Sequence, residues 1–203
     1  MRYGNYLIFF PSHSFLQSVF EVYEENFLDP ETEECIIQED IMSEEDREQF
    51  LSRFEGNRNC ELEDMIHMDI EVEAEKSLLG FCVMGGIFSE GIDLKNDSLI
   101  GAVIVGTGLP QVCNEREILK SYFDAAGKNG FDYAYRYPGM NKVLQAAGRV
   151  IRTSEDVGIV ALLDDRFLNG AYQQLFPREW EEYEVVTADR VARRVERFWD
   201  EWL

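Results

Sequence analysis

The sequence predicts an α/β domain whose sheet is parallel and covered by helices on both faces. Four short runs are apolar throughout instead of alternating with polar residues: Tyr6–Phe10, Leu78–Met84, Ala102–Val105 and Gly158–Leu163. Such runs are typical of strands that are buried on both faces, as they are in parallel sheets. Segments with helical spacing lie between them, as the crossovers between parallel strands require. The 203 residues, 45% of them hydrophobic, suffice for the core of one such domain.

The beginning of the chain predicts a strand, a helix and a second strand. Pro11 ends the first strand, and Ser12 can cap a helix that runs through about Asn26. Cys35–Gln38 predicts the second strand. Four residues at helical spacing form the expected apolar side of the helix: Phe15, Val19, Val22 and Tyr23.

A capping-box pattern, Ser43-Glu-Glu-Asp46, predicts the start of the next helix. Phe50, Leu51 and Phe54 are expected to point inward from it. The following segment, Glu61–Lys76, alternates acidic residues with Met, Ile and Val. This segment fits either a strand or a helix.

The second half of the chain predicts three further helices. One runs from about Asn114 to Ala126 and is followed by a break at Asn129-Gly130. Another is expected from about Gly139 to Arg152. The last, Ala188–Leu203, is amphipathic. Its expected apolar side consists of Val191, Val195, Phe198 and Trp202.

The chain is strongly acidic, with a formal net charge of −21. This charge argues against nonspecific nucleic-acid binding by the whole surface but leaves room for a local basic patch. There is no run of about 18 apolar residues and no secretory leader, so we expect a cytoplasmic protein that does not span a membrane. The four cysteines are widely spaced, which argues against a locally built zinc or iron–sulfur site. No metal site is predicted.

The segment from Lys142 to Arg152 carries the most informative residues. Between Arg136 and Arg152 there are four basic residues and no acidic one, so this segment is suited to meet an anion. Winding the segment as a helix at about 100° per residue places four side chains on one face: Lys142, Gln145, Arg149 and Arg152. A solvated helix face would explain the charges alone, but not the order Gln-x-x-Gly-Arg-x-x-Arg.

The other residues of this helix are apolar or small. Ala146 and Gly148 lie at the border of the polar face, where they would let a ligand or another domain approach closely. The opposite face is expected to be buried: Val143, Leu144, Ala147, Val150 and Ile151.

Three loops follow predicted strands and carry Gly, Pro or Ser: Pro11–Ser14, Gly85–Asp93 and Gly106–Pro110. Because the carboxyl ends of parallel strands share one edge of the sheet, we expect these loops to meet there, beside the Gln/Arg helix. The glycines would let backbone amides approach an anion. Any one of these loops alone would also fit an ordinary tight turn between a strand and a helix.

The sequence contains half of a nucleotide-hydrolysing site. Arg149 and Arg152 present planar guanidinium groups that suit phosphate oxygens and could stabilise charge on a transferred phosphoryl group. The chain has no G-x-x-x-x-G-K-[ST] phosphate loop and no acidic pair for Mg²⁺ beside one. We therefore expect another domain to supply the rest of the site.

These motifs resemble those of the second, C-terminal RecA-like motor domain of superfamily-2 DNA helicases of the DinG/XPD (Rad3-related) branch. Tyr6–Ser14 is similar to helicase motif IV, Gly85–Leu94 to motif V, and Gln145–Arg152 with its trailing strand to motif VI. The likeness covers roughly Asn5–Phe176. It implies a RecA-like parallel sheet of the P-loop NTPase type, in a single domain over residues 1–203.

The resemblance also implies roles for the basic helix. Arg149 and Arg152 would contact the γ-phosphate of ATP across the cleft to a first motor domain, as arginine fingers. Gln145 would lie beside them, near the attacking water. ATP with Mg²⁺ would be shared with that first domain of the same polypeptide.

Further roles implied by the resemblance fall on the loops. Gly91 and Asp93 would lie near the nucleotide, and Glu90 would couple the nucleotide state to domain closure. Ser12 and Ser89 would touch phosphates of single-stranded DNA. In a purely structural interpretation, Glu90 and Asp93 are caps of the next helix.

The first motor domain and its Walker motifs are absent from this sequence. An iron–sulfur domain, found in many relatives, would belong to that missing part, because the cysteines here do not match its pattern. The resemblance implies 5′–3′ translocation in the complete protein. The isolated chain is expected neither to bind ATP tightly nor to hydrolyse it at a meaningful rate.

A function from another class stays open. The chain could be a stand-alone acidic protein-interaction or DNA-mimic module on a helicase-derived fold, as its charge of −21 would favour. Such a module has no need for Gln145, Arg149 and Arg152 on one face. An RNA-directed relative fits the same motifs as a DNA-directed one.

Overall fold

A computed structural model describes residues 2–56, 76–86, 88, 99–151 and 156–202. Its strands are β1 (Asn5–Phe10), β2 (Glu33–Ile37), β3 (Ser77–Val83), β4 (Gly101–Val105) and β5 (Ile159–Leu163). They form one five-stranded sheet in the order β2-β3-β1-β4-β5. Every neighbouring pair is parallel, so the predicted α/β class with a parallel sheet is confirmed.

The described helices are α1 (His13–Asn26), α2 (Glu44–Gly56), α3 (Asn114–Ala125), α4 (Tyr137–Ala147), α5 (Gly170–Gln173) and α6 (Ala188–Trp202). Helices α1 to α4 occupy the crossovers between strands, and α5 and α6 follow β5. A π-helical segment, Asp132–Arg136, leads directly into α4. The ambiguous segment Glu61–Lys76 lies outside the described residues apart from Lys76. Across the parts that the structure describes, no helix is long and apolar enough to cross a membrane.

The core lies on both faces of the central strand β1. On one face, Phe9 of β1 packs in a cluster with Phe54 of α2 and Val143 of α4. On the other face, Phe10 packs with Leu16 of α1. All five side chains are less than 3% exposed. Burial on both sides explains why β1 is apolar at nearly every position.

Helix α1 begins where predicted, and two of its four predicted apolar residues face the sheet. Leu16 is 1% exposed, and three partly buried neighbours pack in the same cluster: Val19, Phe20 and Tyr23. Phe15 and Val22, expected inward, are 45% and 53% exposed. Val19 and Tyr23 face the sheet as predicted, but Leu16 and Phe20 take the places of Phe15 and Val22, so the apolar side is rotated by less than the ~100° between successive residues.

Helix α2 opens with the predicted capping box. Asp46 Oδ2 accepts a hydrogen bond from the Ser43 backbone N–H at 2.8 Å, and Ser43 Oγ accepts one from the Asp46 N–H at 3.1 Å. The Ser43 hydroxyl also donates to Asp46 Oδ2 at 2.7 Å, and this bond, together with the one from the Ser43 backbone N–H, lowers the pKa of Asp46. Phe50 and Phe54 enter the core as predicted. Gly80 makes room for them, because a Cβ at that position would lie 2.7 Å from Phe54 Cζ.

Helix α6 docks through a residue that the sequence did not single out. Trp199 is 4% exposed, and the Arg2 guanidinium carbon lies 4.3 Å from the centre of its ring. Val191 and Trp202, expected on the buried side, are 45% and 63% exposed. Val195 and Phe198, also predicted, are half-buried. The prediction for α6 was therefore right about its amphipathic character and wrong about Val191, Trp202 and the missed Trp199.

Candidate functional site

The carboxyl ends of β3, β1 and β4 lie side by side, because β1 pairs with β3 on one edge and β4 on the other. The segments that leave these ends are therefore neighbours, as the sequence predicted. A Cβ at Gly106, after β4, would lie 3.7 Å from Cγ of Pro11, after β1. This edge of the sheet is the first of two places where functional side chains collect.

Ser12 stands at the end of β1 and caps α1. Its Oγ accepts a hydrogen bond from the Phe15 backbone N–H at 3.3 Å and lies 3.3 Å from Ser14 Oγ. A hydroxyl that accepts from the helix can still donate its own proton to an anion, and the start of a helix attracts anions. Beside it, His13 Nε2 lies 3.6 Å from Asp40 Oδ1.

The loop after β4 crosses the start of α4 at very short range. A Cβ at Gly108 would lie 2.7 Å from the Gly139 carbonyl oxygen, and one at Gly139 would lie 2.7 Å from the Thr107 carbonyl oxygen. Gly108 also has a φ of +63°, which favours glycine. Two glycines thus hold the first turn of α4 against the carboxyl edge.

Lys142 of α4 reaches over the turn that follows β3. A Cβ at Gly85 would lie 2.7 Å from Lys142 Cε and 3.1 Å from its Nζ. Gly85 has a φ of +69°. The last residue of β3, just before this turn, is held by Gln38, whose Oε1 accepts a hydrogen bond from the Val83 N–H at 2.9 Å.

The other end of α4 lies at the opposite edge of the sheet. A Cβ at Gly158 would lie 2.3 Å from Val150 Cγ1 and 3.0 Å from the Ile100 carbonyl oxygen. Gly158 and Ile100 precede β5 and β4, so Val150 and its neighbour Arg149 belong to the amino edge.

The expectation that the whole Gln/Arg helix joins the three loops at one edge is therefore wrong for its second half. The physical reason is direction, because a crossover helix must return the chain to the start of the next parallel strand. Eleven residues of α4 span about 16 Å. This length separates Ser12 and the start of α4 from Arg149.

Helix α4 also ends earlier than predicted, at Ala147 instead of Arg152. The next residues form a tight turn in which the Arg149 N–H donates to the Ala146 carbonyl at 3.2 Å and the Val150 N–H to the Ala147 carbonyl at 3.1 Å. Gly148 occupies the cap position, where its poor helix propensity favours termination.

The early end changes which side chains are exposed. Gln145 is exposed and Arg149 half-buried. Ala146, expected at the border, is fully buried at 0%, and Ile151, expected inside, is 48% exposed. Val143, Ala147 and Val150 are buried as predicted, and Leu144 packs partly buried against the same core.

Several predicted site residues lie outside the described residues. They are Ser89, Glu90, Gly91, Asp93 and Arg152. Their roles stay predictions. Of the eight predicted site residues, the structure describes Ser12, Gln145 and Arg149.

An ion pair between Asp164 and Arg166 lies at the carboxyl end of β5. These two residues were not predicted from the sequence as site residues. Arg166 donates to Asp164 Oδ1 at 2.9 Å and to Oδ2 at 2.6 Å. The Arg166 guanidinium lowers the pKa of Asp164. Asp164 Oδ2 is 3.9 Å from where a Cβ of Gly106 would lie. The spacing Asp-x-Arg after a strand was the signal available in the sequence.

Residues 1–183 match the family of helicase C-terminal domains. The chain is 37% identical over 89 residues to the ATP-dependent DNA helicase DinG of Photobacterium profundum, which covers 43% of this chain and 13% of that protein. It is 29% identical over 181 residues to the ATP-dependent DNA helicase CHL1 of Vanderwaltozyma polyspora, covering 82% of this chain and 19% of that protein. The chain thus spans less than a fifth of the length of these relatives.

The fold is similar to that of solved XPD structures. An apo XPD structure superposes with a TM-score of 0.59 at 23% sequence identity, covering 84% of this chain and 30% of that one. The shared architecture supports a RecA-like α/β fold.

Proposed function

Because the chain belongs to the family of helicase C-terminal domains, in the DinG/XPD branch, we propose that it is the second motor domain of an ATP-dependent DNA helicase. The observation that carries this proposal is the placement of helix α4. Its first turns lie against the glycine turns at the carboxyl edge, the edge from which Ser12 emerges, and its far end carries Gln145 and Arg149 toward the amino edge. One rigid element thus links two separate places that suit anions.

We assign the amino-edge end of α4 to the nucleotide. Arg149 and Arg152 contact the γ-phosphate as arginine fingers, and Gln145 orients the attacking water. A guanidinium group supplies fixed positive charge where negative charge develops during phosphoryl transfer. Glu90, Gly91 and Asp93 lie near the same nucleotide.

We assign the carboxyl edge to single-stranded DNA. Ser12 donates its hydroxyl proton to a backbone phosphate at the start of α1, and Ser89 makes a second phosphate contact. Such contacts position the strand without reading its sequence. ATP-driven opening and closing of the two motor domains would then move the protein along the strand in the 5′–3′ direction.

The other parts of the helicase belong to a longer polypeptide that contains this chain. The first motor domain supplies the phosphate loop and the Mg²⁺ ligands, and any iron–sulfur cluster lies in that part. The 203 residues form one domain, with its core at about 5–176, that acts in the cytoplasm. Alone, the chain does not turn over ATP.

Replacement of Arg149 tests this proposal. In the complete helicase, Arg149→Ala should lower the rate of DNA-stimulated ATP hydrolysis by roughly 10³-fold or more, as expected for an arginine finger. Arg178, which is 91% exposed at its side chain, offers a matched control, and Arg178→Ala should leave the rate unchanged. Equal rates for Arg149→Ala and wild type would refute the assignment.

The net charge of −21 supports a second candidate, an acidic interaction or DNA-mimic module. This module would bind a basic protein partner and would be indifferent to the loss of Arg149 or Arg152. Rapid ATP hydrolysis by a complex of this chain with a first motor domain would exclude it.

A further inference from the structure

Lys142 has an unusual path across the carboxyl edge. Its Cβ lies 3.4 Å from where a Cβ of Gly108 would be, after β4, and its Cε and Nζ lie against Gly85, after β3. Since β1 separates β3 from β4, the lysine stem passes over the carboxyl end of the central strand. This is the end from which Ser12 and α1 emerge.

The turn at Gly85, after β3, has room for the Lys142 side chain only because residue 85 is a glycine. Gly85 combines a φ of +69° with a position where a Cβ would meet the lysine Cδ at 2.8 Å and Cε at 2.7 Å. Any side chain at Gly85 would therefore displace Lys142. The half-buried stem keeps the ammonium group at the turn instead of leaving it free to move in solvent.

The Lys142 ammonium is not matched by a carboxylate in the described ranges of the chain. Five arginines there have close acidic partners: Arg53 with Glu34, Arg136 with Asp132, Arg166 with Asp164, Arg194 with Glu184, and Arg197 with Glu201. No described carboxylate lies within 4.0 Å of Lys142 Nζ. In a chain with 40 acidic and 19 basic residues, a fixed cation without an acidic partner among the described residues is suited to an external anion.

The neighbouring groups favour an anion at the same place. Ser12 and Ser14 present hydroxyls at the start of α1, a 14-residue helix, whose first N–H groups attract negative charge. Asp164, the carboxylate beside Gly106, is already paired with Arg166. Thr107 Oγ1, next to the Gly108–Gly139 crossing, is buried without a hydrogen-bond partner among the described residues.

We infer that Lys142 binds a backbone phosphate of single-stranded DNA, on the same edge as Ser12. This inference rests on the proposed function and adds a contact that lies outside the Gln-x-x-Gly-Arg-x-x-Arg pattern. Seven residues separate Lys142 from Arg149, which corresponds to roughly 10 Å along a helix. A phosphate at Lys142 is therefore a different one from the γ-phosphate assigned to Arg149.

Acylation of lysine amines on the 203-residue chain, read by mass spectrometry, tests the contact directly. The chain is labelled at low salt in buffer alone, with oligo(dT), and with ATP. We expect oligo(dT) to slow the acylation of Lys142 several-fold and to leave Lys120 unchanged. Lys120 is the matched control because its Nζ already lies 3.8 Å from Glu117 Oε2.

Substitution of Lys142 shows whether its charge contributes to DNA binding. For oligo(dT) binding measured by fluorescence anisotropy over a range of salt concentrations, Lys142→Met should reduce the slope of log K against log[salt] by about 0.7, the value for one phosphate contact on a single strand. Lys142→Arg should restore the slope, and Lys120→Met should not change it. Circular dichroism of each variant checks that the fold is kept.

The outcomes separate this inference from the proposed function. If oligo(dT) binds but neither protects Lys142 nor shows a reduced slope with Lys142→Met, the Lys142 contact is wrong and the DNA role of the edge stands. Protection by ATP alone would assign the phosphate to a nucleotide and overturn the DNA contact. If neither anion protects Lys142 and oligo(dT) does not bind at all, both the contact and the DNA-binding role of the isolated domain are refuted.

Discussion

Val150 packs directly on the backbone of Gly158, so closely that a Cβ at Gly158 would lie 2.3 Å from Val150 Cγ1. This contact fixes the turn after α4 to the start of β5. Because Arg149 precedes Val150, the same contact sets the position of the proposed arginine finger. The packing of Val150 on Gly158 would therefore serve both the stability of the fold and the proposed role of Arg149.

Gly158→Ala should destabilise the fold by about 1–3 kcal/mol, the usual cost of overpacking a core. The added methyl would press on Val150 and on the Ile100 carbonyl. Urea unfolding followed by circular dichroism measures the change. Gly170→Ala is the control, since a Cβ at Gly170 meets nothing within 4 Å, and we expect it to stay within about 0.5 kcal/mol of wild type. Equal effects of the two substitutions would contradict the packing described for Gly158.

Trp199→Ala should cost about 3–5 kcal/mol and release α6, because it removes a buried aromatic side chain and the ring under Arg2. Trp202 lies on the same helix but is 63% exposed, and Trp202→Ala should cost less than about 0.5 kcal/mol. Thermal unfolding of both variants makes the comparison. A larger loss for Trp202→Ala would mean that α6 docks by its other side.

Tyr6 should make the fold sensitive to alkaline pH. Burial raises the pKa of Tyr6 to about 12, and its hydroxyl donates to the Arg2 carbonyl at 2.8 Å. The pKa of an unfolded tyrosine is about 10, so the contribution of Tyr6 is fully present below pH 10 and is lost as the pH rises toward 12. Urea midpoints over this range should fall more steeply for wild type than for Tyr6→Phe. Parallel curves would show that Tyr6 does not titrate abnormally.

The two edges should be separable in the complete helicase. Ser12→Ala removes a hydroxyl at the carboxyl edge and should weaken binding of single-stranded DNA while leaving kcat for ATP hydrolysis unchanged at saturating DNA. Gln145→Ala acts toward the amino edge and should lower kcat without changing DNA affinity. Binding titrations and steady-state ATPase assays on the two variants give both quantities. A shared phenotype would mean that the edges do not act as distinct sites.

The fold was predictable because its signals are local. The apolar runs around Phe9 and Ile104 predict buried strands, and the Ser43–Asp46 pattern predicts a cap that forms as expected. The convergence of the loops after β1, β3 and β4 follows from parallel topology alone. The strands and the cap follow from residues that are close together in the sequence.

What the sequence missed depends on distant partners. The buried side of α6 is decided by Arg2, almost two hundred positions away from Trp199. Arg149 lies away from the carboxyl edge because α4 runs from that edge to the start of β5, and the helical periodicity of Lys142–Arg152 carries no information about that direction. Lys142 itself was visible on the predicted basic face, but its contact with Gly85 requires the turn that brings β3 beside it.

The π-helical segment before α4 has a consequence for how this surface could change. In Asp132–Arg136 the Tyr137 N–H donates to the Asp132 carbonyl, so the turn holds one residue more than an α-helical turn does. The additional residue determines how α4 is rotated about its own axis. Its deletion would turn α4 by about 100°. Lys142 and Gln145 would leave their present positions, and a different row of side chains would face the sheet. The number of residues in this π-helical turn therefore determines which side chains of α4 face away from the sheet.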